Sequence, residues 1–277
     1  MKIMVTTRES LILIENAEVE SVHLGRKVKV DFYLPINVRF PEEMSLLLIN
    51  DGQDMITMDF ENILNNLYEQ QAIKPVLCVA IHAGPERKLE YGTASQADFK
   101  GRGEKAGAYT CFVLSELLPL IQITYHLPHI REKVFAGFSL GALSALDIVW
   151  NHPDEFSTVG VFSGSLWWRS KDQHANDYDD DQHRIMHQII RKSVKKPALK
   201  FFFESGMLDE QKDRNQNGVI DSIDDTLDLI SELKSKGYTD NDIEFLLLED
   251  GKHDVPTWGK AMPVFLKWAF GKRSDFL

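Results

Sequence analysis

Cysteine is scarce in this chain, and its scarcity argues against one class of protein. Two cysteines among 277 residues cannot build the disulfide framework of a small secreted domain. Cys78 lies in an apolar, strand-like run and Cys111 in a helix-like stretch, so we expect two buried, free thiols. The cysteine content therefore gives no sign of an oxidising compartment.

Positive charge and long apolar runs are also lacking. The 31 lysines and arginines stand against 42 acidic residues, for a net charge of −11. This balance disfavours nucleic acid and anionic membranes as partners, because both require a basic face. No stretch approaches the roughly 20 apolar residues that span a bilayer, and the given chain carries no signal-peptide pattern. We therefore expect a cytoplasmic protein with neither a membrane nor a nucleic acid as partner.

The chain does contain alternating strand and helix patterns. Two patterns of alternating polarity open it, at 11–19 and 27–33. Apolar runs typical of buried parallel strands follow at 45–49, 76–81, 133–136, 159–162, 199–203 and 243–248. Helical patterns occupy 59–71, 108–124, 140–151, 182–193, 222–236 and 263–270. With no linker or repeat, this order predicts one α/β domain over residues 1–277, with a mostly parallel sheet of about eight strands and helices on both faces.

The pentapeptide Gly137-Phe138-Ser139-Leu140-Gly141 lies where a predicted strand gives way to a predicted helix. A G-x-S-x-G sequence in that context is typical of a nucleophile elbow, in which a strained turn lifts the serine hydroxyl above the sheet edge. The flanking glycines allow the tight reversal. The alternative is a purely structural strand-to-helix turn.

A serine hydroxyl needs a base within reach and a carboxylate that orients the base. His253 follows the last predicted strand, which is where the base belongs in the order serine, acid, histidine. The acid should follow the penultimate strand, where the candidates are Glu204, Asp209, Glu210 and Asp213. We favour Asp209, because Ser205-Gly206 turns the chain and lets a later carboxylate approach the histidine. The alternative is that Asp209 caps a turn.

Acyl transfer also requires N–H donors for the oxyanion. One donor is the backbone N–H of Leu140, the residue after the nucleophile. The second should come from the loop after the strand at 45–49, where we choose the N–H of Gln53. A structural turn there would have the same sequence pattern.

Residues 213–224 match a twelve-residue calcium loop, with oxygen ligands at alternate positions and a glycine at the sharp turn. The predicted ligands are Asp213, Asn215, Asn217, the Val219 carbonyl, Asp221 and Asp224. We expect a structural Ca²⁺ that rigidifies the turn bearing Asp209. The alternative is that the acidic residues only favour the start of the following helix.

Five segments in order make the chain similar to a known family. They are Leu-Ile-Asn-Asp-Gly-Gln-Asp at 48–54, Arg87-x-x-Glu90-Tyr91-Gly92, Glu-Leu-Leu-Pro-Leu-Ile at 116–121, Ala-Gly-Phe-Ser-Leu-Gly-Ala at 136–142, and Phe-Ser-Gly-Ser-Leu-Trp-Trp at 162–168. With them the chain resembles the putative esterase family of α/β-hydrolases, which includes enterochelin esterases, feruloyl and acetylxylan esterases and S-formylglutathione hydrolase.

The resemblance implies an α/β-hydrolase fold and a serine esterase that works through an acyl-enzyme, with Ser139, His253 and Asp209 as the triad. The substrate is then a small-molecule ester of siderophore or acylated-sugar type, and no organic cofactor is needed. Candidate substrate-binding residues are Arg87, Tyr91, Trp168 and Trp258. Arg87 either clamps an anionic group or pairs with Glu90, and the aromatic residues either line the pocket or fill the core. Two alternative functions are an acyltransferase using the same serine and a noncatalytic calcium-dependent binding module.

Overall fold

One eight-stranded sheet organises the protein. The structure is a computed structural model that describes residues 10–272, apart from 37, 40, 128, 129 and 195–197. The strands are β1 Ile12–Ser21, β2 Arg26–Pro35, β3 Ser45–Asn50, β4 Val76–Ile81, β5 Lys133–Phe138, β6 Thr158–Phe162, β7 Lys200–Leu208 and β8 Ile243–Lys252. Their order across the sheet is β1-β2-β4-β3-β5-β6-β7-β8.

Helices connect the strands and cover both faces of the sheet. They are α1 Phe60–Glu69, α2 Arg87–Glu90, α3 Ala106–Cys111, α4 Leu118–Thr124, α5 Leu140–Asn151, α6 Asp180–His183, α7 Ile185–Lys192, α8 Asp221–Ser235 and α9 Val255–Phe270. Short 3₁₀ turns occupy Pro41–Glu43 and Gly52–Asp54, and a π-helical turn, Phe112–Leu117, joins α3 to α4. Core residues of α1 and α9 pack on one face of the sheet, while those of α5, α7 and α8 pack on the other.

Strand pairing confirms the predicted architecture. β1 pairs with β2 and β2 with β4 in antiparallel fashion, and the remaining five pairings are parallel. The carboxyl ends of β3, β5, β6, β7 and β8 therefore meet at one edge of the sheet, where ligands of open α/β sheets bind. The loops that carry Gln53, Ser139, Asp209 and His253 all leave from this edge.

The last two strands are longer than the sequence predicts. The β7–β8 ladder continues past a register shift at Gly206/Leu208, so that Leu208 still pairs with Lys252. Ladder pairing fixes these ends, because the β8 extension is largely exposed and the β7 extension, buried as far as Gly206, continues through the exposed Met207 and Leu208. As a result, Asp209 and His253 directly follow the ends of neighbouring strands.

Three other expectations need correction. The helix predicted at 182–193 is interrupted at Arg184, and the last helix begins at Val255, eight residues before the predicted start. Cys111 is exposed rather than buried, whereas Cys78 is buried as expected, and both are free thiols.

One helical segment, Ala106–Thr124, is long and apolar enough by length and composition to cross a membrane, with a mean hydropathy of 1.4. The sequence patterns predict a helix at 108–124 but no segment able to span a bilayer, so the second expectation is corrected here. In the folded chain it packs against the sheet, and Glu116 within it accepts hydrogen bonds from the Ser21 hydroxyl at 2.6 Å and the Val22 N–H at 2.9 Å. These contacts tie the segment to the turn between β1 and β2.

Candidate active site

Ser139 occupies a strained turn between β5 and α5. Its φ of 55° and ψ of −119° lie in a region that non-glycine residues rarely adopt. The Ser139 N–H donates to the Phe162 carbonyl at 3.0 Å, and the Ser139 carbonyl accepts from the Ser165 N–H at 3.1 Å. A Cβ at Gly137 would lie 2.4 Å from the backbone of Gly141, so the reversal requires glycine at that position. The turn has the geometry of a nucleophile elbow.

The Ser139 hydroxyl is half-buried at the carboxyl edge of the sheet. Its hydrogen-bond contact in the described chain is to the Ser165 hydroxyl, at 3.3 Å. The next residue, Leu140, begins α5, so its N–H has no acceptor within the helix. A substrate carbonyl above Ser139 would therefore meet a free backbone donor.

His253 directly follows β8, and aromatic contacts link it to the elbow. Its ring makes an edge contact with Trp258, with 5.4 Å between centroids. Trp258 stacks on Phe138, the neighbour of Ser139, at 4.9 Å. Burial among these groups lowers the pKa of His253, although the charge of Asp209 partly offsets that effect. The imidazole is thus linked to the elbow through Trp258, and its lowered pKa favours the neutral form that a base requires.

Asp209 faces the same space as His253. Both line a cavity of about 220 Å³ together with Ser163 and Trp167. The two Asp209 carboxylate oxygens are buried and have no hydrogen-bond partner in the described residues. Burial raises the pKa of Asp209, and the positive form of His253 acts against that rise. In this conformation no hydrogen bond joins serine, histidine and acid, although all three lie at one edge.

The other three acid candidates have different surroundings from Asp209. Glu204 is buried beneath the pocket, and Glu210 lines the cavity wall. Asp213 accepts hydrogen bonds from two backbone N–H groups of its own loop. Asp209 remains the candidate best placed toward His253.

The loop after β3 brings Gln53 to the same edge. The Gln53 N–H comes before the first hydrogen bond of the 3₁₀ turn Gly52–Asp54, so it has no acceptor within the turn. Its side chain accepts from the Ala83 N–H at 3.0 Å, which fixes the turn against the end of β4. A Cβ at Gly52 would lie 2.6 Å from the Ala80 backbone, so only glycine permits this approach.

Arg87 has a partner that the sequence did not indicate. Its guanidinium binds Asp51 through two hydrogen bonds, whereas Glu90 pairs with Arg26. The alternative in which Arg87 pairs with Glu90 is therefore excluded. Burial acts to lower the pKa of Arg87, but hydrogen bonding and charge from Asp51 outweigh it and raise that pKa. The Arg87 guanidinium is thus already ion-paired with the loop that carries Gln53.

Three aromatic residues predicted to bind substrate lie behind the pocket surface. Tyr91 and Trp168 are 0% exposed and Trp258 is 7% exposed. Trp168 fills the space over Gly92 and Gly103, where any Cβ would approach its ring to 2.8 Å. Direct contact of these three side chains with a substrate is therefore not supported. The adjacent Trp167 is the tryptophan that lines the cavity.

A second cavity of about 310 Å³ adjoins the first, since both are lined by Trp167 and Glu210. Its other lining side chains include Lys100, Arg102 and Arg169. The Arg102 guanidinium lies 4.7 Å from the Trp167 ring centroid, a cation–π distance. The space beside this edge therefore combines an aromatic face with both basic and acidic side chains.

Sequence reasoning missed the role of Ser163, a buried polar residue beneath the pocket. Trp258 Nε1 donates to the Ser163 hydroxyl at 2.9 Å, and that hydroxyl lies 3.4 Å from Glu204 Oε2. Ser163 has a positive φ of 42° in the loop after β6. The available signal was its place in the Phe-Ser-Gly-Ser segment after a predicted strand.

The predicted calcium loop is internally hydrogen-bonded. Asp213 accepts from the N–H groups of Asn217 at 3.1 Å and Gly218 at 2.9 Å. The side-chain amides of Asn215 and Asn217 both donate to Asp224, at 2.8 Å and 2.9 Å. Two of the predicted ligands thus donate amide N–H groups to Asp224, the twelfth position of the loop.

Asp221 and Val219, two further predicted ligands, make other contacts. Asp221 accepts from the Arg214 N–H at 2.7 Å, and the Arg214 guanidinium lies 3.4 Å from it. The N–H of Val219 donates to the Asn217 side chain. Over the described ranges, no group of three or more histidine, cysteine, aspartate or glutamate side chains is arranged to hold a metal ion. Asp221 and Asp224 also lie in the first turn of α8, as the alternative interpretation expects.

Comparison with known proteins shows the family to which the chain belongs. A family model described as putative esterase matches residues 21–269. The iron(III) enterobactin esterase of Escherichia coli K12 is 31% identical over 129 residues, which is 46% of this chain and 30% of that protein.

Solved structures share the fold. The enterobactin esterase FES from Shigella flexneri, solved in the presence of enterobactin, aligns with a TM-score of 0.72 and 21% identity. The alignment covers 94% of this chain and 59% of the Shigella flexneri chain, so this chain spans little more than half the length of that esterase. A ferulic acid esterase aligns with a TM-score of 0.70 and 17% identity, covering 95% of this chain and 99% of that one. The predicted α/β-hydrolase fold is confirmed.

Proposed function

The chain belongs to the putative esterase family and is a carboxylic ester hydrolase, and from that premise we propose that it acts through an acyl-enzyme on Ser139. Ser139 Oγ attacks the ester carbonyl, and its proton passes to the His253 imidazole. The N–H groups of Leu140 and Gln53 stabilise the oxyanion, and Asp209 orients His253. His253 then returns the proton to the departing alcohol.

The second half of the cycle uses the same groups. Water gives a proton to His253 as it attacks the acyl-enzyme carbonyl, and the C–O bond to Ser139 breaks. The carboxylic acid leaves and Ser139 regains its proton. The observation that supports the mechanism best is the strained Ser139 turn, whose half-buried hydroxyl lies at the sheet edge that the loop of His253 also leaves.

Ser139→Ala tests the mechanism directly. We expect hydrolysis of p-nitrophenyl acetate to fall by about four to six orders of magnitude, because a triad loses nearly all its function with its nucleophile. Labelling by a fluorophosphonate probe should disappear as well. The matched control is Ser157→Ala, at the amino end of β6, which should keep both. Unchanged turnover in Ser139→Ala would remove this serine from the mechanism.

For the substrate we propose an ester of siderophore type with an aromatic, anionic portion. The cavity beside this edge supports this, because Trp167 offers a ring face and the four lysines and arginines of the lining outnumber its three acidic side chains. One relative is an enterobactin esterase, and another structural neighbour is a ferulic acid esterase, which keeps acylated sugars as the second candidate. A panel of catecholate lactones, feruloyl sugars, acetyl sugars and short thioesters ranks these classes by kcat/KM.

Two other functions predict different results in the same assays. An acyltransferase would form the same acyl-enzyme but pass the acyl group to an added sugar faster than to water. A noncatalytic binding module would fail to label with fluorophosphonate. Product analysis with and without an alcohol acceptor separates hydrolysis from transfer.

We also propose that residues 213–224 bind a structural Ca²⁺. The twelve-residue pattern supports it, and the side chains of Asn215, Asn217 and Asp224 lie within hydrogen-bond distance of one another, so that rotation of the two amides would bring their oxygens toward Asp224. EDTA should then lower the melting temperature, and added calcium should restore it. Asp213→Ala should abolish that response, whereas Asp240→Ala, outside the loop, should keep it. A melting temperature that is the same in EDTA and in calcium would rule the site out.

A further inference from the structure

The carboxyl oxygens of Glu204 and Asp209 are both buried beside Ser163, because Glu204 Oε2 lies 3.4 Å from the Ser163 hydroxyl and Asp209 lines the same small cavity as Ser163. We propose that Glu204 is a neutral carboxylic acid that shares its proton with Asp209, and that it thereby positions the acid of the triad. The proposal rests on the esterase mechanism above for its catalytic consequence. The protonation state itself is inferred from the burial of Glu204 and its lack of hydrogen-bond donors, and it is measurable without turnover.

Glu204 is enclosed by three elements. It lies on β7, paired between Phe162 of β6 and Leu246 of β8, and it is 1% exposed. Its Oε1 has no hydrogen-bond partner in the described chain, and its Oε2 has only the long contact to Ser163. Because an ionised carboxylate seeks several donors, this environment suits a neutral acid.

Cations do not compensate the pair. The charged or titratable groups around it are Asp209 itself, His253 and Asp254 after β8, and Arg87 beyond His253. Arg87 is already bound to Asp51, and no lysine or arginine of the described residues forms an ion pair with Glu204 or Asp209. Two adjacent buried carboxylates without a cation do not both ionise, so one proton stays on the pair.

Hydrogen bonding indicates which group keeps the proton. Among the residues that the structure describes, neither Asp209 oxygen nor Glu204 Oε1 has a hydrogen bond of normal geometry, although the Ser163 hydroxyl and the Gly206 N–H both act to lower the pKa of Asp209. Ser163 has a single O–H, which cannot serve both acids. A proton on Glu204 supplies the missing donor to Asp209 and leaves the negative charge on the group nearer His253. Burial and the charge of Asp209 raise the pKa of Glu204 to about 8, in agreement with this assignment.

The catalytic consequence is a loss of activity in alkaline solution. When Glu204 ionises, Asp209 loses its donor and gains a like-charged neighbour, so His253 loses its orientation. We expect wild-type kcat/KM to decline above pH 8. Glu204→Gln keeps an N–H donor at every pH, so this decline should vanish while kcat at pH 7 stays close to wild type. Glu204→Leu has no donor, and its kcat should fall about tenfold at every pH with KM unchanged, as expected for one lost hydrogen bond.

Infrared spectroscopy tests the protonation state independently of the reaction. In the Ser139→Ala background at pH 7, the spectrum should contain a protonated-carboxyl C=O band that disappears on adding Glu204→Gln. Absence of such a band, or a band that persists in Glu204→Gln, would overturn the assignment. A band that behaves as expected, with an alkaline decline that persists in Glu204→Gln, would overturn the positioning role. Failure of the esterase mechanism itself would be evident separately, as turnover retained by Ser139→Ala.

Discussion

Arg87 and Asp51 form a two-point ion pair between the loop after β4 and the loop after β3. Arg87 Nε lies 2.6 Å from Asp51 Oδ1, and Nη2 lies 2.7 Å from Oδ2. Nη2 also lies 3.4 Å from the carbonyl of Phe138, next to the nucleophile. Asp51 has a φ of 64°, which a non-glycine residue keeps only where its surroundings hold it. The pair therefore fixes the spacing between Gln53 and Ser139.

Replacing Arg87 with lysine should impair the chemical step more than binding. Lysine keeps the charge but cannot form the paired contact, so the loop bearing the Gln53 N–H becomes less well placed. We expect kcat to fall by about 10- to 100-fold with little change in KM, somewhat less than the loss of a whole oxyanion donor. Arg26→Lys is the matched control, because Arg26 binds Glu90 through two hydrogen bonds in the same way. Equal losses of kcat in both variants would contradict the assigned role.

Gly141→Ala should push the loop after β3 away from the Ser139 elbow by steric contact. An added Cβ would lie 2.6 Å from Asp51 Oδ2 and 2.9 Å from Asn50 Cβ, so the loop after β3 must shift. We expect a loss of kcat of at least about tenfold, since oxyanion donors act only when correctly placed. Gly107→Ala is the control, because a Cβ there meets its nearest atom at 3.9 Å. The variants are compared by kcat and by circular dichroism, which checks that both remain folded.

The sequence was sufficient for the sheet and the elbow because both leave local signals. Apolar runs marked the buried strands, and two glycines around Ser139 marked the tight reversal. Ser139 and Leu140 could therefore be placed without knowing which strands are neighbours. Asp209 and His253 needed only the order of the last two strands, although the extent of the β7–β8 ladder was underestimated.

The rest of the site depends on contacts between distant segments. The Arg87–Asp51 pair and the contact of Trp258 with Ser163 join residues 36 and 95 positions apart, and no local periodicity encodes them. Burial of Trp168 likewise follows from the loop glycines that pack against it, while its neighbour Trp167 reaches the cavity. Residue type alone did not distinguish these two tryptophans.

The pH dependence of kcat/KM should report the environment of His253. The base must be neutral to accept the serine proton, and burial lowers its pKa, so activity should persist into more acidic solution. We expect the acidic midpoint below the ordinary histidine value of about 6.5. Asp209→Asn removes the charge that favours the imidazolium, so it should lower the midpoint further while reducing kcat. His152→Gln, at the end of α5, is the control, and a wild-type midpoint above 6.5 would contradict the prediction.

The stability of the protein should depend on pH through Glu204. Its folded pKa of about 8 lies above the ordinary glutamate value of about 4.3, so between these values the native state binds more protons than the unfolded state. The free energy of unfolding contributed by this group is therefore highest below pH 4.3 and decreases as the pH rises toward 8, by at most about 1.4 kcal/mol per pH unit.

Glu204→Gln removes that titration, so the variant should become more stable relative to wild type as the pH rises from 5 to 8. Urea unfolding at each pH measures the difference in free energy. Glu244→Gln, at an exposed position on β8, should instead parallel the wild type throughout. Parallel curves for wild type and Glu204→Gln would mean that Glu204 is ionised in the native state, and the buried carboxyl pair would then need a cation to accompany it.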